Sequence, residues 1–546
     1  MMDGAKPILR IVGLWRGQSA ALVAGIVMAL LALAAGVALM ASAGDYIAVS
    51  VLGIGLAVPV FLEILGVARV VLRYLERLVT HDAMFRALTA LRIWFFRGVA
   101  RSAAGGLGYR RAGDVLARLV NDIEALDGVF LRIVIPGFGA LLLIPVLLIV
   151  IGRETIAAAI IVLVLFALVA FVLPWRAMGA ARHSAETEAE AGGALRVAAL
   201  DALGGLREIK VYGAEGRMLA AIQAQESRLF GAERLLAARS GAMQAAAFLA
   251  AQAALLAVLL LHGPHPVALV IGVFVVIAAF EAVGAMPRAG VIAGRAAAAA
   301  ARVLEAAEAP PRVADPEPAA AMPVAHGLSF DSVIFRWSAD APPVFDGLSL
   351  QVPAGSRVAV LGPSGAGKST LAALALKLAE PEAGEIRFGG VDIARLRAED
   401  LRRQIAWLSQ ATHLFADTIR NNLRLARPDA SDADLWAVLD AARIGDVIRA
   451  LPDGLDAWVG EQGGLFSGGQ GRRLALARTL LSPAPVLILD EPCSGLDSET
   501  ERGFMSTLND TLSGRTVLLI AHRLTGVEKF DRVFRLQNGR LTAATR

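Results

Sequence analysis

The sequence predicts six membrane-spanning helices followed by an α/β domain built around a phosphate-binding loop. Three observations carry that reading. Gly362-Pro363-Ser364-Gly365-Ala366-Gly367-Lys368-Ser369-Thr370 fits the pattern G-x-x-x-x-G-K-[ST] between a strand-like and a helix-like run. Apolar runs near bilayer length, about 20 residues, crowd the first 300 or so positions. A proline- and alanine-rich stretch, 308–325, lies between the two regions. At 546 residues the chain is too long for one domain. Its 56% hydrophobic and 19% charged content excludes a soluble ATPase standing alone. The expected boundaries are a membrane domain at 1–307, a linker at 308–327 and a nucleotide domain at 328–546.

The apolar runs fall at about 19–43, 50–72, 133–151, 156–175, 241–262 and 267–287. A single such run could be a buried core helix, but six without a polar face point to a membrane. Gly152-Arg153-Glu154-Thr155 leaves room only for a tight hairpin between the third and fourth. The run from Ser19 is much longer than the ~7–15 apolar residues of a secretion signal. The small residues Ala41-Ser42-Ala43 therefore do not make it a cleaved leader, and it is expected to stay as a first span.

Arginines orient the spans. Arg73, Arg77, Arg86, Arg92, Arg97, Arg101, Arg110, Arg111 and Arg118 crowd the second-to-third connection. A similar set from Arg176 to Arg239 fills the fourth-to-fifth. The other connections hold little charge beyond Asp45 and the Arg153-Glu154 pair. The positive-inside rule then puts both termini, both long connections and the nucleotide domain in the cytoplasm. The net charge of +4 follows from this topology, and no nucleic-acid partner is implied. Residues 84–104 and 182–240 are rich in Ala, Leu, Arg and Glu, and read as helices continuing out of the bilayer.

The phosphate loop has a physical rationale at each position. Its glycines let successive backbone N–H groups converge on a phosphate chain, and a helix N-terminus follows. Lys368 is placed to reach the β/γ-phosphates, and the Ser369 hydroxyl to ligate Mg²⁺. Val486-Leu487-Ile488-Leu489 reads as a strand buried on both faces and ends in Asp490-Glu491. Asp490 suits the Mg²⁺ shell, and Glu491 suits polarisation of a water that attacks the γ-phosphate.

Further segments bring a family into view. Phe466-Ser467-Gly468-Gly469-Gln470 resembles the signature motif of ATP-binding-cassette (ABC) proteins, with Phe466 where leucine is usual. Trp337 matches the adenine-stacking aromatic and Gln410 the Q-loop glutamine. Ser494-Gly495-Leu496-Asp497 matches the D-loop and His522 the switch histidine. The resemblance implies ATP and Mg²⁺ as ligands, with Ser369, Gln410 and Asp490 near the metal. It also implies that two cassettes face each other, each ATP lying between one phosphate loop and the other signature. Long intracellular helices with a C-terminal cassette resemble an ABC exporter half-transporter.

Arg73-Tyr74-Leu75-Glu76-Arg77-Leu78-Val79-Thr80-His81, Gly113–Asp127 and Ala279-Phe280-Glu281-Ala282 go beyond the general ABC pattern. Together they resemble the CydC subunits of the bacterial CydDC exporter family. That resemblance implies a CydD-like partner half-transporter and location in the bacterial inner membrane. It also implies export of glutathione and cysteine, and support for cytochrome bd assembly. It further implies haem, with His81 as axial ligand and the second ligand expected from the partner. The residues alone leave a plainer reading open, an interfacial His81 paired with Glu76 or Asp82. Other readings of the chain are a homodimeric exporter of lipid, peptide or drug, and a haem-responsive regulatory ATPase.

Glu63, Arg69 and Glu281 lie in or near the apolar runs and are candidates for the transport pathway or for ties between helices. Arg69 and Arg73 suit an anionic cargo. His262 and His265 are separated by Gly-Pro with no third ligand near, which disfavours a metal site. Cys493 is the single cysteine, so no internal disulfide can form.

Overall fold

The computed structural model describes residues 6–51, 60–102, 115–116, 118–261, 263, 265–311, 313–493, 501–502, 505–506, 514–524 and 529–544, without the side chains of 180, 182, 183, 185 and 462. Two compact units emerge, one ending at Pro310 and the other beginning at Pro311.

The first unit is helical. A short helix α1 (Lys6–Leu14) leads into α2 (Ser19–Val51) and α3 (Val60–Ser102). Then come α4 (Ile135–Gly152), α5 (Ile156–Ala167), α6 (Leu173–Gly204), α7 (Glu215–Leu260), α8 (Pro266–Val283) and α9 (Met286–Ala307). Among the described residues, five stretches are long and apolar enough to cross a bilayer: Lys6–Val51, Arg118–Gly152, Ile156–Gly179, Glu215–Leu260 and Pro266–Ala307. The expected run at 50–72 includes residues 52–59, outside the described set. The α4–α5 hairpin turns at Arg153 and Glu154 as the short polar insert requires.

The described residues of both long connections are largely helical, but the second is not one rod. Gly205 ends α6, a short helix spans Leu206–Val211, and Gly213 turns the chain at φ 55° before α7. A β-carbon is strongly disfavoured in that conformation. The stretch 182–240, expected to be helical, is therefore divided between α6, the short helix and α7.

Small residues set the helix spacing. A β-carbon on Gly290 of α9 would overlap the Pro174 carbonyl oxygen of α6. One on Gly98 of α3 would overlap that of Ala307. Such backbone approach is how helices associate when lipid is as apolar as their side chains. Phe166 and Phe280 meet edge-to-face at 5.7 Å in the buried cluster of α4, α5, α7 and α8. Arg302 of α9 grips Asp122 with two hydrogen bonds, Nε–Oδ2 at 2.9 Å and Nη2–Oδ1 at 2.6 Å. Asp122 belongs to the distinctive 113–127 segment, so at least this residue has a structural task.

The second unit carries two sheets. Strands β1 (Leu328–Phe335), β2 (Phe345–Val352), β4 (Ala383–Phe388) and β5 (Val391–Asp392) form an antiparallel sheet ordered β2-β1-β4-β5. The larger sheet contains β3 (Arg357–Leu361), β6 (Ile405–Leu408), β7 (Val486–Asp490), β8 (Thr516–Ala521), β9 (Arg532–Gln537) and β10 (Arg540–Ala543). Its order is β10-β9-β3-β8-β7-β6, parallel except for the β10 edge. All five residues of β7 are buried, as the continuous apolar run demands. Helix α10 (Lys368–Ala375) follows β3, and α11 (Gly468–Leu481) precedes β7.

Candidate nucleotide-binding and catalytic site

Strand order brings the motifs together. β3, β8, β7 and β6 are adjacent and parallel, so their carboxyl ends lie side by side. Each ends at a predicted residue: Gly362 after β3, His522 after β8, Asp490 and Glu491 at β7, and Gln410 shortly after β6. Ligands of parallel α/β sheets bind outside this edge.

The phosphate loop runs from Gly362 through Pro363, Ser364, Gly365, Ala366 and Gly367 into α10, whose first turn holds Lys368, Ser369 and Thr370. Gly365 and Gly367 have φ of 80° and 95°. A β-carbon on Gly367 would also stand 2.5 Å from Val344 Cγ1, so glycine is required there twice over. Lys368 is buried, its Nζ donating to the carbonyls of Gly362 at 2.8 Å and Pro363 at 2.9 Å. Burial pulls its ammonium below the usual lysine range, against the attraction of Glu491 and Asp490.

Ser369 Oγ donates to Asp490 Oδ2 at 2.6 Å, joining the two expected Mg²⁺ ligands directly. Asp490 is 1% exposed, and burial pushes its carboxyl up. Among the described residues its Oδ1 has no hydrogen-bond partner. A buried carboxylate oxygen left bare beside a serine hydroxyl is the donor set a hard cation needs.

Glu491 occupies the left-handed region at φ 52°, a conformation that costs a non-glycine residue about 1–3 kcal/mol. Its carboxylate is held at both oxygens. Gln410 Nε2 donates to Oε2 at 3.2 Å, and His522 Nε2 stands 2.7 Å from Oε1. The other His522 nitrogen lies 3.5 Å from Lys368 Nζ. Lys368, His522, Glu491 and Gln410 thus form one chain of contacts at the strand edge.

The remaining predicted residues stand apart from that chain of contacts. Trp337 follows β1, half-exposed, with its ring edge-on to Phe335 at 5.1 Å. Ser467 and Gln470 cap α11 reciprocally: Ser467 N donates to Gln470 Oε1 at 2.9 Å, and Gln470 N to Ser467 Oγ at 3.3 Å. Gly468 and Gly469 form the first turn behind that cap. Asp497 and the rest of the 494–497 segment lie outside the described residues. Cys493 is half-buried and unoxidised against the core around β7.

One participant escaped the sequence reading. Arg472 of α11 is buried and donates to the Glu491 carbonyl at 2.9 Å, the Gln410 carbonyl at 2.6 Å, Thr412 Oγ1 at 3.2 Å and the Asp490 carbonyl. It ties the signature helix to the backbone on both sides of the Glu491–Gln410 contact. Its two-arginine sequence context, Arg472-Arg473, offered no hint of which one turns inward.

In the membrane unit, His81 sits exposed on α3, its Nδ1–H donating to the Arg77 carbonyl at 2.9 Å. The expected partners are engaged elsewhere: Arg86 pairs with Asp82 at 3.0 Å, and Arg73 stands 3.8 Å from Glu76. The ion-paired reading of His81 is therefore corrected. Among the described residues no group of three or more metal-ligating side chains gathers anywhere.

Comparison with known proteins gives the arrangement its context. The family model for the ABC transporter transmembrane region matches residues 21–283, and that for the ABC transporter matches 345–494. The glutathione/L-cysteine transport system ATP-binding/permease protein CydC of Escherichia coli K12 is 32% identical over 98% of this chain and 96% of its own length. The chain belongs to the CydC family of ABC transporters. The CydD protein of the corresponding Bacillus subtilis 168 system is also 32% identical, over 87% of this chain and 84% of that protein. A solved bacterial Atm1-family ABC exporter with ATP bound superposes with a TM-score of 0.85, at 26% identity over 96% of this chain and 94% of that one. This CydC-family chain is a multi-pass membrane protein with an exporter fold. Its cassette binds ATP with Mg²⁺ and hydrolyses it to drive transport.

Proposed function

We propose that this chain is one half of an exporter that moves glutathione and cysteine out of the cytoplasm, paired with a CydD-like half-transporter, and so supports cytochrome bd assembly. The observation that carries the reading is the near full-length match to a protein named for glutathione/L-cysteine transport. The arginine-rich connections support an inner-membrane location with both termini cytoplasmic. The domain boundaries proposed from sequence, 1–307, 308–327 and 328–546, accompany this assignment.

At the nucleotide site Lys368 exchanges its loop carbonyls for the β/γ-phosphates, and the loop amides cradle the same chain. Ser369 and Asp490, with Gln410, would hold Mg²⁺, which supplies charge neutralisation of the phosphates. Glu491 orients and polarises the attacking water, while His522 holds one of its oxygens and Gln410 the other. Trp337 stacks on the adenine, and Ser467–Gln470 with Asp497 serve the site shared with the partner cassette. If haem is bound, His81 would hold its iron, with Nδ1–H engaged by the Arg77 carbonyl and Nε2 left free to coordinate. The second ligand would come from the partner half-transporter. His81→Ala removes the Soret band of the assembled complex; an unchanged spectrum returns His81 to an interfacial role.

Inverted vesicles holding this chain with its partner test the whole reading. Labelled glutathione and cysteine accumulate with ATP and not with a non-hydrolysable analogue. Flux of a lipid or drug by a homodimer, without thiol flux, overturns it.

A further inference from the structure

A cavity of about 450 Å³ lies within the membrane unit, between α2, α3, α4 and α8. That volume suits a small ligand. Most of its wall is apolar, yet Arg69, Arg73 and Glu76 of α3 and Glu281 of α8 all line it. Arg69 is half-buried and lies over Gly36 of α2, where a β-carbon would stand 3.4 Å from its Nε. Among the described residues neither the Arg69 guanidinium nor the Glu281 carboxylate has an ion-pair or hydrogen-bond partner. Arg73 and Glu76 approach at 3.8 Å, which is longer than a hydrogen bond. Glu281 also borders a second cavity of about 670 Å³ with Gln244 and Gln252.

Two opposite charges lining one cavity among apolar helices, without pairing, are costly unless something bridges them. A ligand bearing a carboxylate and an ammonium group satisfies both at once. We propose that this cavity is the cargo site and that it recognises the zwitterionic end of an amino acid: Arg69 takes a carboxylate in the two-pronged manner of guanidinium and Glu281 takes the ammonium. Arg73 is the weakly engaged second guanidinium, and it takes a second carboxylate. Glutathione has two carboxylates and one ammonium, whereas cysteine has one of each. The site therefore favours glutathione through Arg73 and accepts both thiols through Arg69. This assignment rests on the thiol-export reading.

The test uses the complex of this chain with its partner half-transporter in lipid nanodiscs. ATPase stimulation is titrated with glutathione, cysteine and glutathione acetylated on its amino group. Arg69→Gln raises the half-stimulating concentration of both thiols about 10- to 100-fold, the effect of losing a charge-assisted hydrogen-bonded pair. Arg73→Gln raises it for glutathione and leaves cysteine within twofold. Glu281→Gln abolishes the preference for glutathione over its acetylated form. Arg69→Lys keeps the charge and gives an intermediate half-point, which decides the matter should the glutamine variant fail to assemble. Wild-type half-points in these variants, or an Arg73→Gln or Glu281→Gln variant that weakens all three ligands equally, overturn the site while leaving thiol export standing. A wild-type complex that answers to neither thiol overturns both.

Discussion

His522 Nε2 lies 2.7 Å from Glu491 Oε1 at the ends of two neighbouring strands, with Gln410 holding the other carboxylate oxygen at 3.2 Å. The carboxylate is thereby fixed in plane before any substrate arrives. Pre-orientation of a base is worth most when the base stays anionic, so Glu491→Gln isolates its chemical role. In a complex whose other ATP site is disabled, this change should retain nucleotide binding and lower the hydrolysis rate ~10²–10⁴-fold. Wild-type turnover in that background would remove Glu491 from the mechanism.

Asp490 makes a pH-dependent prediction. Burial raises its folded carboxyl above the ordinary value near 3.9, so the folded, Mg²⁺-free protein binds this proton more tightly than the unfolded chain. The ionised form costs stability at neutral pH, and that cost fades as pH falls through the raised value. Asp490→Asn should therefore melt a few degrees above wild type at neutral pH without Mg²⁺, because the neutral amide carries no charge to desolvate. The gap should close on acidification. Adding Mg²⁺ and ATP should stabilise wild type and not the variant. Thermal melts of the purified complex at several pH values decide this, and a variant that melts lower throughout contradicts it.

Arg472 acts through Glu491 and Gln410, so its loss should show in turnover. Arg472→Met removes donors to the carbonyls of Asp490, Glu491 and Gln410 and to Thr412. The rate per bound nucleotide should fall at least about tenfold while the ATP concentration for half-saturation changes little. Arg472→Lys should not restore the rate, because one ammonium cannot span acceptors on two segments. A merely structural arginine would reduce the yield of folded complex and leave the rate per bound nucleotide intact.

The nucleotide site was legible because each part is a short contiguous pattern at a strand end, and a parallel sheet aligns those ends. Arg472 was not, since it bonds to backbone carbonyls, which leave no trace in residue identity. The Arg69–Glu281 cavity was half-legible. Each residue was conspicuous as a charge among apolar neighbours, but only the packing of α3 and α8 against α2 brings both to one cavity. The break between α6 and α7 carried a signal in Gly204-Gly205 and Gly213 that helix-favouring composition outweighed. His81 went the other way: Glu76 and Asp82 are close in sequence, but Arg73 and Arg86, one turn away from each, claim them.

The last prediction concerns the close approach of α6 and α9. Gly290 presses against the Pro174 carbonyl, whereas Gly137 of α4 has nothing within 4 Å of its notional β-carbon. Both are helical glycines in the membrane unit, so alanine gains similar helix propensity at each. Any difference between the two substitutions then reports packing. At Gly290 the obstacle is backbone, which cannot rotate away, so the two helices must separate and lose contact along α9, most of whose residues are buried. Gly290→Ala should lower the melting temperature of the complex by several degrees and reduce recovery of assembled protein. Gly137→Ala should stay within ~0.5 kcal/mol of wild type. Equal stability of the two variants, measured by thermal denaturation of the purified complex in one detergent, would mean that α6 and α9 do not meet at this glycine.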